Sequence, residues 1–407
     1  MLVLVVNAGS SSLKCQLIET DGKKTLVRVL GQRLGLPQAT LRIDFGKGGE
    51  HVNYPGLSVV GAMQRTLRAL ENDADSPLSS LEEIEAIGNR IVAGGEYFSH
   101  SVQVDKEVLD KIEECSALAP LHNPAAVACI KDLKKRLPNV PQAVVFDTAF
   151  HQTMPPKAYR YALPKRYYTD YHIRRYGAHG TSHRYAANQA AHLLGRPLKD
   201  LGLITCHLGN GGSIAAVDGG RSVDTTMGFT PLEGLMMGTR SGSIDPAIIT
   251  FIMRREGLTY DEMDDILNRQ SGLLGVSGLS SDMREILDAA REGDEDAALA
   301  RDMYMYAVQK AIGSYYAVMT RTDAVVMTAG IGENSAEMRE RVFERLAHMG
   351  MILDKDKNNF VGEVGADRVV SVDDSPIKII VITTDEELRI ARETDAIVQG
   401  EVPGEIE

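Results

Sequence analysis

Two arginines set among glycines, a histidine in a glycine-flanked turn and an aspartate closing an apolar run are the residues of this chain best suited to chemistry. Arg90 lies in IGNRIVAGG and Arg240 in MGTRSGS, where the lack of bulky side chains lets backbone approach a ligand closely. A lone arginine ordinarily solvates a surface. A pair in glycine-lined loops reads as a clamp for carboxylate and phosphoryl groups, each of which a guanidinium meets with two parallel N–H donors. His179, in YGAHGTSH, is placed to donate to a phosphoryl oxygen; His183 completes an H-x-x-x-H spacing but without the glutamate of a zinc protease. His122 and His207 sit beside turns and read as structural hydrogen-bonding groups. Asp147 ends AVVFD, and a strand end is where α/β sheets place ligand sites; a helix cap or a buried charge partner is the plainer reading. Asn7 and Glu386 offer oxygens suited to Mg²⁺, which takes few protein ligands and keeps several waters, although an acid at a helix start also serves the helix dipole.

Beside these residues stand two similar loops. VVNAGSSSLKCQLIE near the N-terminus is echoed by ITCHLGNGGSIAAVDGG some two hundred residues later. Each reads as a strand, a tight turn and a returning strand. Gly9 and Ser10 to Ser12 in the first, and Gly209, Gly211, Gly212 and Ser213 in the second, leave room for backbone N–H groups to surround an anion. Lys14 adds a cation to the first loop, and Asn210 stands in the second. Either loop alone is an ordinary hairpin turn; the repetition points to nucleotide binding and to two similar halves. Neither GxxxxGK[ST] nor a strand followed by GxGxxG and a helix is present.

The bulk composition bounds what these loops serve. A chain of 407 residues exceeds one ordinary core and predicts two domains of about 150 to 200 residues. Its 43% hydrophobic and 25% charged residues are those of a soluble globular protein. A net charge of −12 argues against nucleic acid as a partner. Cys15, Cys115, Cys129 and Cys206 form no CxxC pair, so no zinc site is implied and free thiols in a reducing, cytoplasmic setting are expected. Met1 to Val6 is apolar but lacks a basic n-region and reads as a strand, and no stretch is apolar enough to span a membrane.

The elements that must position the chemistry alternate between strand and helix, which selects an α/β class with mixed sheets covered by helices. Residues 85–92 read as the strand that carries Arg90. In LAPLHNPAAVACIKDLKKRLP, Asn123 is the expected N-cap with Pro124 at the first helical position. After Asp147, residues 151–178 form a turn-rich connection suited to a domain crossing. The second half runs through the hairpin at 202–217, a long helix near 294–320 and AVVMTAG turning through GIGENS. It ends in KIIVITTDEELRIARE, read as a strand and then a helix with Thr384 as N-cap and Glu387 in a capping box.

Taken together, NAGSSSLK, LAPLHNP, VFDTAFHQTMP, YGAHGTSH, HLGNGGS, the run from TTMGFTPLEGLMMGTRSG to IDP, GIGEN and TDEEL resemble the acetokinase (acetate kinase) family over essentially the whole chain. The resemblance implies α/β architecture with two similar domains of the actin-like ATPase (ribonuclease H-like) fold and a nucleotide cleft between them. It implies a substrate and phosphate-side domain of residues 1–150 plus 385–407, and a domain of residues 151–384 for nucleotide binding and dimerisation. It also implies a cytoplasmic homodimer that uses ATP/ADP and acetate with Mg²⁺, Mn²⁺ being the alternative ion, and without nucleic acid or membrane.

Residue by residue, Asn7 and Glu386 fall on the magnesium-associated pair and Lys14 on a nucleotide contact. Arg90 falls on the substrate-binding arginine, and Asp147, His179 and Arg240 on catalytic positions. Val92, Leu121, Ala178 and Pro231 match the acyl pocket. The ATP-binding segments correspond to His207, Leu208, Gly209, Asn210 and Gly211, to Asp282, Met283 and Arg284, and to Gly330, Ile331, Gly332, Glu333 and Asn334. The chain departs from the family at Asn89 and Ala93, where GHRVVHGG or GHRIVHGG usually carries histidines, and at Met283, where many members have an aromatic residue.

The chemistry so implied is reversible in-line transfer of the γ-phosphoryl of ATP to acetate. A carboxylic acid is already ionised at neutral pH, so no general base is required and the barrier is one of positioning and charge. Arg90 would bind the carboxylate, Arg240 and His179 the phosphoryl oxygens, and Asp147 would orient Mg²⁺ or an arginine. The alternatives are a propionate or other short-chain acyl kinase and, from another class, an actin-like ATPase with no small acceptor.

Overall fold

The computed structural model describes residues 1–119, 122–359 and 367–401, so Leu121 lies outside the described residues. The chain divides into two compact units, Met1–Gln152 with Asp385–Glu407 and Thr153–Thr384.

The first unit is built on eight strands: β1 (Leu2–Ala8), β2 (Ser12–Glu19), β3 (Lys24–Gln32), β4 (Thr40–Asp44), β5 (His51–Asn53), β6 (Ala86–Ile91), β7 (Val102–Gln103) and β8 (Gln142–Phe146). Their order is β5-β4-β3-β2-β1-β6-β8-β7. β1, β6 and β8 run parallel, and the other pairings are antiparallel. Central parallel strands need cover on both faces, and the residues of β1 show how it is met. Leu4 and Val6 pack with Met63, Leu67 and Leu70 of helix Val59–Asn72 and with Cys129 and Leu133 of helix Asn123–Arg136. Val3 and Val5, pointing the other way by the two-residue period of a strand, pack with Ile390 and Ala391 of helix Glu386–Val398.

The second unit has six strands, β9 (Gly202–Leu208), β10 (Gly212–Asp218), β11 (Arg221–Thr225), β12 (Ala324–Thr328), β13 (Arg368–Val369) and β14 (Lys378–Val381), ordered β11-β10-β9-β12-β14-β13. Three antiparallel strands again lead into two parallel ones. The pattern β3-β2-β1-β6-β8 therefore recurs as β11-β10-β9-β12-β14, which is the structural basis of the loop echo in the sequence. On one face Tyr304, Val308 and Ile312 of helix Glu295–Val318 pack with Ile204, Cys206 and Ile214. Helix Gly180–Leu194 packs on β9 and β12, its alanines Ala186, Ala187 and Ala190 buried.

Two helix starts differ from expectation. Asn123 is the first residue of its helix, with His122 at the cap position; its amide is engaged elsewhere, as described below. The helix after β14 is capped by Asp385, whose carboxylate accepts from the Leu388 N–H at 3.0 Å, because Thr384 is held by Glu333 instead. The GIGEN stretch is itself a short helix, Ala329–Asn334, before helix Ala336–Glu344. The four cysteines are free and buried, and burial pushes the Cys115 thiol up to about 11 and Cys129 up to about 12. Among the described residues no helix is long and apolar enough to cross a membrane.

A close seam in the first unit lies between β6 and the last helix. A methyl group on Gly88 would stand 2.3 Å from Thr394 Oγ1 and 2.9 Å from Ile390 Cγ2. Gly88→Ala is therefore expected to cost about 1–3 kcal/mol by overpacking, read as a lower denaturant midpoint; an unchanged midpoint would show that the helix can move away.

Candidate active site

In the first unit the parallel strands bring their carboxyl ends together, and with them the predicted residues. β1 ends near Asn7, β6 near Arg90, and Asp147 follows β8 directly. Arg90 meets Asp147 bidentately, Nε to Oδ1 at 3.0 Å and Nη2 to Oδ2 at 2.5 Å, while Nη1 donates to Asn7 Oδ1 at 3.3 Å. Asp147 is 2% exposed and the Arg90 side chain 20%. Burial opposes the charge of Arg90, but Asp147 foremost, with Glu386 and Glu387, more than offsets it and raises its pKa. Glu386, in the first turn of helix Glu386–Val398, thus exerts its charge on the guanidinium that Asn7 also touches. Lys14 stands opposite Asn7 in the β1–β2 ladder, so the two side chains share a face of the sheet. The Gly9 N–H donates to Ser12 O at 2.9 Å and closes the hairpin.

Beyond Arg90 the backbone that follows Val92 is fixed by Asn123, which the sequence offered only as a helix cap, and by Thr148, which it did not single out. The fully buried Asn123 accepts from the Ala93 N–H at 3.2 Å and donates to Ala93 O at 2.8 Å, and Thr148 Oγ1 accepts from the Gly94 N–H at 3.2 Å. Asn89 donates to Gln142 Oε1 at 3.0 Å and Ala143 O at 3.2 Å. The two departures from the family pattern, Asn89 and Ala93, therefore leave Arg90 with its partners Asp147 and Asn7. Of the acyl-pocket residues, Val92 lies in this unit and is half-buried.

In the second unit His179 opens helix Gly180–Leu194 with a left-handed φ of +58°. Its Nδ1 lies 2.8 Å from Ser213 Oγ, and its ring stacks on His207 at 4.1 Å between centroids. The same hydroxyl lies 2.8 Å from His183 Nε2, whose Nδ1 meets Thr205 Oγ1 at 2.8 Å; His207 Nδ1 meets Ser182 Oγ at 2.8 Å. One hydroxyl donates to only one of two rings, so at least one of His179 and His183 presents an N–H to Ser213. The two histidines of the H-x-x-x-H spacing thus share one hydroxyl, which orients His179.

Arg240 converges on the same place. A methyl group on Gly211 would stand 3.6 Å from Arg240 Nη1 and from His179 Cε1 and Nε2. Arg240 Nη1 donates to Pro231 O at 3.1 Å and contacts Met237 Sδ at 3.6 Å, and burial lowers its pKa. Unlike Arg90, it has no carboxylate among its hydrogen-bond partners within the described residues. Ala178, 3% exposed, packs with Met227 and Met237 as a small apolar cluster beside this guanidinium.

The three candidate ATP segments meet in one cavity of ≈ 690 Å³, lined by Gly209, Asn210, Asp282, Met283, Arg284, Gly330, Ile331 and Asn334 with Ser281, Leu287, Asp288, Arg291 and Ser335. His207, Leu208, Gly211, Gly332 and Glu333 do not line it. Leu208 is buried in the core; His207 carries the His179 ring. Gly238, unmarked in sequence, makes room for the loop: its N–H donates to Asn210 O at 3.0 Å, and a methyl there would fall 2.1 Å from Asn210 Oδ1. Met283, where an aromatic is usual, is buried at the helix start and lines the cavity. A separate cavity of ≈ 900 Å³, bordered by Arg175, Asp224 and Glu233, holds none of the predicted residues.

The sequence profile of the acetokinase family matches residues 2–392. An acetate kinase of Thermoanaerobacter pseudethanolicus is 50% identical over 402 residues, covering 98% of this chain and 100% of that protein. Among solved structures, the acetate kinase of Porphyromonas gingivalis superposes with a TM-score of 0.92 at 44% identity, covering 98% of this chain and 99% of that one. A propionate kinase from Francisella tularensis superposes with a TM-score of 0.90 at 41% identity, covering 98% and 100%. With its two mixed sheets, its paired glycine-rich hairpins and a match running from the first strand into the last helix, the chain belongs to the acetokinase family.

Proposed function

We propose that this protein is an acetate kinase, transferring the γ-phosphoryl of ATP reversibly to acetate to give acetyl phosphate and ADP. The observation that carries the reading is the Arg90 guanidinium, held by Asp147 and Asn7 at the carboxyl ends of three parallel strands. An ATPase without a small acceptor has no use for a carboxylate clamp. Acetate is ionised at neutral pH, so its oxygen attacks Pγ directly, the bond from Pγ to the β–γ bridging oxygen breaks, and no proton need be removed. Arg90 binds the acetate carboxylate; Asp147 orients Arg90 and is not a proton acceptor. Arg240, held by a carbonyl oxygen and a thioether, and His179 donate to the equatorial oxygens of a loose, metaphosphate-like transition state. Ala178, Pro231 and Val92 border the acyl methyl. ADP occupies the cavity formed by Gly209, Asn210, Asp282 to Arg284, Gly330, Ile331 and Asn334, and Lys14 is assigned a further nucleotide contact.

Mg²⁺ fits the donor set. Among the described residues no cluster of three or more His, Cys, Asp or Glu forms a metal cage. The amide oxygen of Asn7 and the carboxylate of Glu386, both in the neighbourhood of Arg90, suit an ion that keeps waters and substrate phosphates as its other ligands; Mn²⁺ is the alternative. When bound, such an ion neutralises phosphate charge. On this reading the first unit is the substrate and phosphate side and the second the nucleotide side, in a cytoplasmic protein that needs neither nucleic acid nor membrane. The family homodimer is proposed here too. Helix Pro246–Glu256 buries none of its residues, and Phe251 is 68% exposed, an apolar face of the kind that marks an interface.

Acetyl phosphate trapped as hydroxamate, with ATP, Mg²⁺ and acetate, propionate or butyrate in parallel, tests the reading. Acetate is expected to lead by kcat/KM, by a margin limited to the roughly 1–3 kcal/mol that one methylene confers. Propionate ahead would make the chain a propionate kinase, and ATP consumption without hydroxamate would reject acyl transfer. In the same assay Arg240→Ala is expected to lower kcat by about 10²–10³-fold; a near-normal kcat would remove Arg240 from the transition state. Asp147→Asn is expected to raise KM for acetate by about tenfold, the size of a lost charged hydrogen bond, with both limbs of the pH–rate profile retained. Loss of a limb would assign Asp147 a proton-transfer role. Phe251→Glu should halve the mass seen by light scattering, and an unaltered dimer would place the interface elsewhere.

A further inference from the structure

Helix Ala329–Asn334 lines the ≈ 690 Å³ cavity with Gly330, Ile331 and Asn334, but its glutamate turns the other way. Glu333 Oε1 accepts from the Ala329 N–H and the Thr384 N–H, each at 2.8 Å, and more closely from the Thr384 hydroxyl. The Thr384 oxygen in turn accepts from the Ala329 N–H at 2.9 Å and lies 2.8 Å from Thr328 Oγ1. Together these bonds hold Ala329 at φ +64°, a left-handed conformation that residues other than glycine disfavour. Thr384 is the last residue of the second unit, two residues before Glu386.

The donors that meet this oxygen are amides and a hydroxyl, not a cation. Oε1, which already accepts from two N–H groups and an O–H, has little capacity left for a ribose hydroxyl or a metal ion, and the Glu333 side chain is not among the groups that line the cavity. What it requires is an acceptor at a set distance, which a neutral amide oxygen also supplies.

We propose that Glu333 is a positioning residue and not a nucleotide ligand: its carboxylate oxygen ties the start of the cavity-lining helix Ala329–Asn334 to Thr384. It thereby sets the nucleotide turn and the entry to the Glu386 helix together. This rests on the reading of the cavity as the nucleotide site and of Glu386 as magnesium-associated. The conservative variant separates the two roles. Glu333→Gln keeps an oxygen in place, Glu333→Asp is too short to reach, and Glu333→Ala removes the acceptor.

The experiment titrates ATP, Mg²⁺ and acetate in the hydroxamate assay for these three variants and measures hydrogen exchange in peptides covering residues 327–334 and 382–388. Glu333→Ala and Glu333→Asp are expected to raise KM for ATP and the half-saturating Mg²⁺ together, each about tenfold, with KM for acetate within about twofold. Exchange should rise in both peptides, and Glu333→Gln should restore every parameter to within about threefold. Glu333→Gln as impaired as Glu333→Ala would overturn the proposal in favour of direct contact through the charge. Raised exchange with unshifted KM values would reduce the clip to a structural role. Should Glu333→Ala fail to fold, Thr384→Val removes one hydroxyl and should still shift ATP and Mg²⁺ together by about threefold; no shift would overturn the proposal. Wild-type protein that is not saturated by ATP would instead defeat the nucleotide reading, while the exchange comparison still decides whether the clip exists.

Discussion

Parallel pairing between strands far apart in sequence is the constraint on which the site depends. β1, β6 and β8 begin at residues 2, 86 and 142, and β9, β12 and β14 at residues 202, 324 and 378, yet within each trio the ladder allows one direction only. A strand's direction decides at which edge its last side chain emerges, so Asn7, Arg90 and Asp147 are delivered to one edge by backbone hydrogen bonds alone. In the second unit the same ladder places the Gly209–Gly211 turn and the start of helix Ala329–Asn334 at the ends of neighbouring strands. The side chains supply chemistry at an address that the main chain sets.

The two arginines illustrate how burial is managed differently for different tasks. Arg90 has its charge matched by Asp147 in a bidentate pair. A buried pair of this kind adds little net stability, yet removal of one partner is strongly destabilising because it strands the other. Its value is therefore orientation. Arg240 is instead held by a carbonyl oxygen and a thioether, neutral groups that fix direction without neutralising charge, and its lowered pKa records the uncompensated burial. Such a cation is stabilised by whatever anion arrives.

Much of this was legible in the sequence because it is local or periodic. The glycine and serine turns, the apolar strands ending at Arg90 and Asp147, and the long family motifs all announce themselves. What escaped depends on partners distant in sequence. Asn123 looked like a helix cap because Asn before Pro usually is one, whereas the buried amide pairs with the backbone of Ala93, thirty residues upstream. Thr384 looked like the cap of the last helix, but Glu333, fifty-one residues before it, holds it, and Asp385 caps instead. His183 carried no signal beyond its spacing and Ser213 none beyond its glycine-rich loop; that His179 and His183 both meet the Ser213 hydroxyl is a property of the β9–β10 hairpin packed against a helix start.

The helix Glu386–Val398 has a consequence for biosynthesis. It covers the face of the first sheet formed by Val3, Val5, Ile18, Ala86 and Val145, and those residues leave the ribosome long before it does. The second unit is one uninterrupted stretch, Thr153–Thr384, and can close its core while that face of the first sheet still lacks its cover. The most apolar strand of the nascent chain must therefore stay soluble through the synthesis of an entire domain, a burden that falls on chaperones and on the speed of translation.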